Sequence, residues 1–500
     1  MPSSPVVHLL ESNDPLDERE TALIHQFLDE HRQQLNEMKA LPFPRPELDE
    51  LDRSFQAHLA LLSLVRHIPG ELLSHIFTYV SHERRVGPCR IESPPWRLGH
   101  ICRSWRNAAL STPFLWRHIR IHEPQTPILE TIYPLSMIET QLARSGIATL
   151  EVRINVRSRE SVDHHKTLLD PLLQHSHRWS GLRVTFRGSA QLVPALASMY
   201  NRMANRIPRL YKFALSQENI NSGEQHSYLS KAPALRKLTL TDSNFSVPSP
   251  SIPSAPWHQI TYYRAAYTAQ QHFDVLLAAP KLVECDLGFV GVSDLPEYDA
   301  GRHAILPHLR RLTLSDSGES NILEHVTAGT ALKSLTVRSP HDAVPTFLQR
   351  SSSGQSLISL FLDDNYSVTT AEEIVNVLKQ APALKTLGIT CGAPDMGEVW
   401  TAMTIADLDD DSTGNLCPRL KSLVCICKGL QKDIDASFWS MVQSRCHKSQ
   451  NLGSLRVVAI KTPREFVESV ENGMVLLPDG LRTYLLEGKA GEAALKELAN

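Results

Sequence analysis

One phrase, Leu-x-x-Leu-x-Leu, recurs through most of this 500-residue chain and leaves few folds open to it. Clear copies are Leu210/Phe213/Leu215, Leu235/Leu238/Leu240, Leu282/Cys285/Leu287, Leu309/Leu312/Leu314 and Leu332/Leu335/Val337. They continue at Leu357/Leu360/Leu362, Leu384/Leu387/Ile389, Leu420/Leu423/Cys425 and Leu455/Val458/Ile460, with weaker copies starting at Ile147, Trp179 and Ile260. Most steps between copies are 22–27 residues, lengthening to 31–36 near both ends. Side chains alternate across a strand, so the last two apolar positions of each phrase share one face and the residue between them takes the other. Self-similarity at such a step means stacked units, each burying its apolar face against its neighbours.

The intervals carry helical signals. Thr370-x-x-Glu373 is a capping box ahead of Ile374, Val377 and Leu378. Phe273, Leu276 and Leu277 repeat the pattern, as do Ile322, Leu323 and Val326, and then Val344, Phe347 and Leu348. Proline stops the chain before the next strand at Ala232-Pro233, Ala279-Pro280 and Ala381-Pro382. The predicted fold class is therefore α/β, a solenoid of parallel strands plus helices. The array resembles irregular leucine-rich repeats. It lacks the asparagine ladder of the regular kind, which implies uneven curvature.

In this register the third and fifth positions of each phrase line the concave side. Early copies place Lys212, Lys237, Glu284, Asp286 and Arg311 there; later ones place Ser359, Phe361, Thr386, Gly388, Ser422, Val424, Val457 and Ala459. The stripe turns from charged to partly apolar, and an exposed apolar stripe often marks a partner site. Ser359, Phe361, Thr386, Ser422 and Val424 are the candidate target-binding residues. The rival reading is that the tail covers them through Met474, Val475, Leu476, Leu477, Leu481, Leu485 and Leu486.

Upstream, Asp14-Pro15 reads as a helix start. Ile24, Leu28, His31, Leu35 and Met38 form a heptad seam, three prolines over 41–46 break it, and Leu48, Leu51, Phe55, His58 and Leu62 form a second. Each seam is too short for a stable isolated coiled coil. An antiparallel hairpin is predicted, with self-association as the alternative.

A compact module follows. Ile68-Pro69-Gly70-Glu71 opens a helix with apolar residues at Leu72, Leu73, Ile76, Phe77 and Val80. Leu98, Ile101, Cys102, Trp105, Ala108 and Ala109 give the same period, and Phe114-Leu115-Trp116 closes the stretch as an apolar plug. Ile-Pro-x-Glu-Leu-Leu-x-x-Ile-Phe, Ile-Cys-Arg-x-Trp-Arg and Thr-Pro-x-Leu-Trp, in that order, resemble an F-box. The loop Ser81–Pro95 is longer and more basic (Arg84, Arg85, Arg90) than a minimal one. A helix pair ahead of the module also resembles fungal F-box proteins. The resemblance implies docking to a Skp-type adaptor, and through it a cullin. It assigns adaptor contacts to Ile68, Pro69, Leu72, Leu73, Ile76, Phe77, Ile101, Trp105, Leu115 and Trp116.

The predicted organisation is a flexible terminus over 1–13, a hairpin or short coiled coil over 14–63, the F-box over 64–120, the solenoid over 121–473 and a capping segment over 474–500. A net charge of −3 gives no sign of nucleic-acid or membrane-surface binding, and no apolar run reaches membrane-spanning length. Eight cysteines are too sparse for a disulfide framework, and Met1–Pro5 lacks the basic and apolar regions of a secretory signal, so cytosol or nucleus is expected.

Chemistry is scarce. No phosphate loop or hydrolase motif appears, and no catalytic residue, metal or cofactor is expected. Asp407, Asp409 and Asp411 begin a calcium-loop pattern that fails at Ser412 and Pro418. The residues 241–256 read as a Pro/Ser loop. Cys417, Cys425, Cys427, Cys446 and His447 lack paired zinc-ligand spacing. His164, His165, His175 and His177 fall on the solvent side of a leucine pattern. The chain so read is a substrate receptor of a cullin-type ubiquitin ligase, or alternatively a scaffold outside any ligase. It performs no chemistry of its own.

Overall fold

A computed structural model describes residues 4–12, 14–39, 46–83, 94–122, 135–157, 169–187, 193–218, 227–242, 254–290, 301–315, 321–338, 343–363, 370–391, 396–405, 415–427, 436–446, 455, 457–461 and 482–486. The chain divides into two compact units, Met1–Thr185 and Phe186–Asn500.

The first unit opens with helices α1 (Val7–Leu10), α2 (Glu18–Lys39) and α3 (Pro46–Leu59). The expected loose terminus is corrected, because Val6 and Leu9 are buried in one cluster with Ile24, Leu28, Leu35, Leu51, Phe55 and Leu61. Asp17, not Asp14, caps α2. Its carboxylate accepts from the Glu20 N–H at 2.6 Å while the Glu20 carboxylate accepts from the Asp17 N–H at 2.9 Å. That reciprocal box needs a long acid three residues on, which Asp14 lacks. Lys39 reaches Asp52 at 3.8 Å, Arg32 lies over Phe55, and the Phe27 ring stands 4.1 Å from His58. Rising positions on α2 thus meet falling ones on α3, so the hairpin is antiparallel. The seam residues Ile24, Leu28, His31 and Leu35 are spent inside the chain.

Helix α4 (Gly70–Glu83) follows, then a 3-10 turn at Arg97–His100, helix α5 (Arg103–Leu110) and a second 3-10 turn at Pro113–Trp116. One helix was expected over Leu98–Ala109. Instead the backbone extends at Cys102, whose sulfur accepts the Trp105 N–H, and α5 starts afresh. Strand β1 (His118–His122) comes next, so the boundary expected after residue 120 falls inside a strand. It pairs in parallel with β2 (Leu150–Arg157), from Ile119↔Val152 to Ile121↔Ile154. Helix α6 (Leu135–Arg144) connects them, and β3 (Trp179–Arg187) is the next strand. The weak copy begun at Ile147 is misplaced. Ile147 is 93% exposed, and the buried set is Leu150, Val152 and Ile154.

The second unit is an N-to-C array of parallel strands. β4 (Lys212–Glu218), β5 (Lys237–Asp242), β6 (Tyr262–Tyr267) and β7 (Glu284–Phe289) pair in turn. The small strands β8 (Ala304–Leu306) and β10 (Val326–Ala328) pair with each other in a separate two-stranded sheet. The main array runs on through β9 (Arg311–Ser315), β11 (Ser334–Arg338), β12 (Ser359–Asp363) and β13 (Thr386–Cys391). It ends with β14 (Ser422–Cys427), β15 (Val457–Lys461) and β16 (Arg482–Leu486). Helices over Val193–Met203, Ala269–Ala278, Ala343–Arg350, Ala371–Lys379, Met396–Met403 and Ala436–Cys446 fill intervals between the strands. The chain is thus an N-terminal helical region followed by a solenoid-like α/β fold.

The apolar phrase fixes the register. Leu309, Leu312 and Leu314 are at most 7% exposed, and the sets from Leu210 to Leu420 are buried in the same way. Each strand starts at the third position of its phrase. Just before it, the second-position carbonyl of one copy accepts two N–H groups of the next. Arg310 O accepts from Lys333 and Ser334 at 2.9 and 3.0 Å, Lys333 O from Ile358 and Ser359 at 2.9 Å, and Ile358 O from Lys385 and Thr386 at 2.8 and 3.0 Å. The expected capping box at Thr370/Glu373 is present, and Thr268/Gln271 forms another. The helix expected over Ile322–Val326 is instead a 3-10 turn, Asn321–His325, leading straight into β10. Of the rival tail cover, Arg482–Leu486 is a strand paired with β15, and Met474, Val475, Leu476, Leu477 and Leu481 lie outside the described residues. Residues 243–253, 406–414 and 474–481 lie outside the described residues, and with them most of the Pro/Ser loop and the Asp407–Asp411 run.

The turns are held by buried and half-buried side chains that reach back one repeat. Arg445 is 2% exposed, and its guanidinium donates to the carbonyls of Met403, Leu416 and Cys417 at 2.5–2.9 Å. Arg178 does the same to Ser145 and Ala148, Gln259 to Ala232 and Leu235, Gln141 to Trp116 and His118, and Arg350 to Leu323 and Val326. A carbonyl left unpaired in the core would cost about 1–3 kcal/mol. Among the described residues, no helix is long and apolar enough to cross a membrane.

One buried histidine makes the array sensitive to acid. His272 has Nε2 2.8 Å from the Gly288 carbonyl and 3.3 Å from the Tyr267 N–H, and Nδ1 3.2 Å from the Tyr263 hydroxyl; the neutral Nε2–H tautomer serves the shortest of these, donating to Gly288. Burial pushes its pKa down from 6.5 to about 4, against the opposing pull of the Gly288 hydrogen bond. Between those values the unfolded chain binds a proton that the folded chain refuses, so stability is full above about pH 6.5 and falls as pH drops toward 4. At pH 5 the loss is about 2 kcal/mol. Melting at pH 7.5 and pH 5 should show a drop in the parent that is smaller in His272→Phe; equal drops would remove His272 as the cause.

Candidate functional site

Two surfaces carry the residues singled out in the sequence, one in each unit. The first is the module around α4. Its core joins Leu73, Phe77, Leu98, Ala108, Ala109, Leu115 and Trp116, with Ile68, Trp96 and Trp105 packed against it. The Trp116 indole N–H donates to the Ala109 carbonyl at 2.9 Å, Trp96 meets Trp116 edge-on at 5.0 Å, and Phe77 lies 4.9 Å from Trp105. Thr112 Oγ1 donates to Ser74 Oγ, tying the last turn to α4. The Arg144 guanidinium sits over both tryptophans, 5.0 Å from Trp96 and 4.5 Å from Trp116, with its pKa lowered by burial.

This packing splits the predicted adaptor residues. Leu73, Phe77, Leu115 and Trp116 are at most 2% exposed, which corrects their assignment as contact residues. Leu73 and Phe77 sit on the helix stripe that α5 and the closing turn cover, and Leu115 and Trp116 are the buried part of that turn. The neighbouring stripe of α4 is uncovered: Leu72 is 56% exposed and Ile76 44%, with Tyr79 and Val80 one turn further. Positions 72, 76 and 79–80 share one helical side. Ile101, Leu110 and Phe114 are exposed apolar residues of the same module, Pro69 is exposed, and Ile68 and Trp105 are half-buried. Tyr79, Leu110 and Phe114 are exposed apolar residues that the sequence reading does not assign, because only the packing of the module tells covered positions from uncovered ones.

The second surface is the concave stripe of the array. Among its early residues Arg264 pairs with Asp286 across neighbouring strands at 3.1 Å, and Lys237 lies over the Tyr262 ring. Arg338 and Asp363 pair at 3.2 Å, and Thr390 donates to the same carboxylate. Of the predicted target-binding residues, Phe361, Thr386 and Ser422 are half-buried and Ser359 is buried. Val424 is fully buried, which corrects its assignment to an open face. Phe361, Gly388 and Val424 stand in one row on β12, β13 and β14. Gly388 has no side chain, and the Phe361 ring occupies the space a Cβ would need there. The ring therefore leans toward the strand that carries Val424, and the apolar stripe is partly filled from within. Val457 and Ala459 are in register with Ser422 and Val424.

The cysteines behave as core residues. Cys417 and Cys425 are buried, and the Cys417 thiol donates to the Leu378 and Ala381 carbonyls. Burial pushes the Cys417 thiol up to about 12 and Cys285 up as well, so neither offers a thiolate at neutral pH. His175 and His177 have ring centroids 6.3 Å apart, and burial with the nearby Arg178 lowers the His175 pKa. His447, His164 and His165 lie outside the described residues. Among the described residues, no group of three or more His, Cys, Asp or Glu could hold a metal ion.

Comparison with known proteins identifies one region. Residues 65–122 match the F-box-like family, which covers α4, α5, both 3-10 turns and β1. No match was found among curated proteins. Among solved structures the chain matches the crystal structure of a TLR13-ssRNA13 complex at 13% identity, with a TM-score of 0.33. That match spans 68% of this chain and 45% of the other.

Proposed function

We propose that this chain is the substrate receptor of a cullin-type ubiquitin ligase, working in the cytosol or nucleus. The exposed stripe Leu72–Ile76–Val80 within an F-box-like domain carries the reading, because the domain's own core leaves it uncovered. A Skp-type adaptor would seat on that stripe with Ile101, and the strand array would hold a target protein. The receptor performs no bond chemistry in this scheme. It contributes proximity, turning a bimolecular transfer by other subunits into an effectively intramolecular one. Affinity purification of the full chain with the proteasome inhibited should recover a Skp-type adaptor, a cullin and a client that is depleted without inhibition. Adaptor without cullin, and no inhibitor-dependent client, would favour a scaffold outside any ligase.

A further inference from the structure

The bonded turn row gives the array a second feature besides its concave stripe. The second-position residues Arg310, Lys333, Ile358, Lys385 and Lys421 precede consecutive strands β9, β11, β12, β13 and β14. Each is locked to the next by the N–H···O bonds of the row, the last being Lys421 N–H to Lys385 O at 2.8 Å. All five side chains are exposed. Neighbouring strands lie about 4.8 Å apart, so the five stand at regular intervals over roughly 19 Å.

The row has one sign. No aspartate or glutamate occupies the second position of any clear copy, although the whole chain has 54 acids against 51 lysines and arginines. Cations on the concave strands find carboxylates, as Arg264 and Arg338 do. Among the described residues, none of Arg310, Lys333, Lys385 and Lys421 forms an ion pair. Unpaired like charges held in line by the backbone repel one another, and a bound anion relieves that repulsion.

We infer that this edge binds an extended, Asp/Glu-rich segment of a partner protein running across the strands. An extended chain rises about 3.3 Å per residue, so about six residues span the row. Ile358 interrupts the cations at its centre and is 37% exposed, which fits an apolar side chain set between acids. A nucleic-acid strand fits less well, because the row interleaves no aromatic ring for bases to stack on. The inference builds on the reading of the array as the target-binding part, and it names the target's chemistry. It does not require the adaptor.

The test is fluorescence anisotropy with the full chain and three labelled probes. These are a peptide of alternating Glu and Asp with one central Leu, its Gln/Asn counterpart, and an oligothymidine of equal length. The acidic peptide should bind, the Gln/Asn peptide should not, and binding should weaken as salt rises. Lys333→Glu with Lys385→Glu should weaken it at least tenfold without changing the melting temperature. Arg19→Glu with Lys379→Glu, the same charge change at exposed sites off the row, should have little effect. Leu72→Asp with Ile76→Asp should leave peptide binding intact, which separates this inference from the adaptor reading. No binding of the acidic peptide, equal losses in both reversal pairs, or tighter binding of oligothymidine would overturn it.

Discussion

Replacing Leu72 and Ile76 together by aspartate is expected to lower capture of a Skp-type adaptor about a hundredfold or more, with the melting temperature unchanged. Both side chains already reach solvent, 56% and 44% exposed, so a charge there meets water and disturbs little packing. In a complex each would be buried. Losing two partly exposed aliphatic anchors removes about 3 kcal/mol, before any cost of burying the new carboxylates. Leu73→Asp with Phe77→Asp is the contrasting pair. Those residues are 2% and 1% exposed, against Trp105 and the closing turn, so this pair should unfold the module and lose capture by that route. Circular dichroism melts beside the pull-downs separate the two cases. Normal capture by the Leu72/Ile76 variant would remove α4 from the interface.

The second large effect lies in the register of the array. Leu312→Asp should cost several kcal/mol, because a carboxylate would replace a side chain 2% exposed between Cys285 and Leu335 on the flanking strands. Thr313→Lys should stay within about 0.5 kcal/mol of the parent. Thr313 is half-buried on the opposite side of β9, directly across from Asp286, so a cation there gains an acidic neighbour. Denaturant titration of both variants gives the comparison. Similar losses would mean that the inward and outward positions are wrongly drawn.

Much of this fold could be read from local pattern. The apolar triplets announced the strands because alternation and burial act on each copy alone, and Leu335 and Leu387 are fully buried as the phrase requires. The capping box at Thr370 was legible for the same reason. What stayed hidden depends on the neighbour. Arg445 looks like an ordinary helix-end cation, and only the stacked turn beneath it makes it the donor to Met403 and Leu416. The same holds for α4: Leu72 and Leu73 look alike in sequence, and coverage by α5 decides which becomes core. Ile322–Val326 misled because a short apolar cluster fits either a helix or a turn and strand. Val424 misled because it is buried at a position that the phrase points outward, in a row where the Phe361 ring fills the space beside Gly388 one strand away. The cationic row was present in the sequence at the second positions of four of the five copies from Leu309 to Leu420. It gained meaning only when the paired N–H···O bonds set those residues in line.

The central claim is that the F-box-like module docks a Skp-type adaptor through its uncovered apolar stripe. Mixing the purified full chain with a purified Skp-type adaptor and measuring the mass of the eluting species by light scattering tests it most directly. The account predicts one equimolar complex for the parent and two separate species for Leu72→Asp with Ile76→Asp. Separate elution of the parent and adaptor, or an intact complex with that variant, would contradict it.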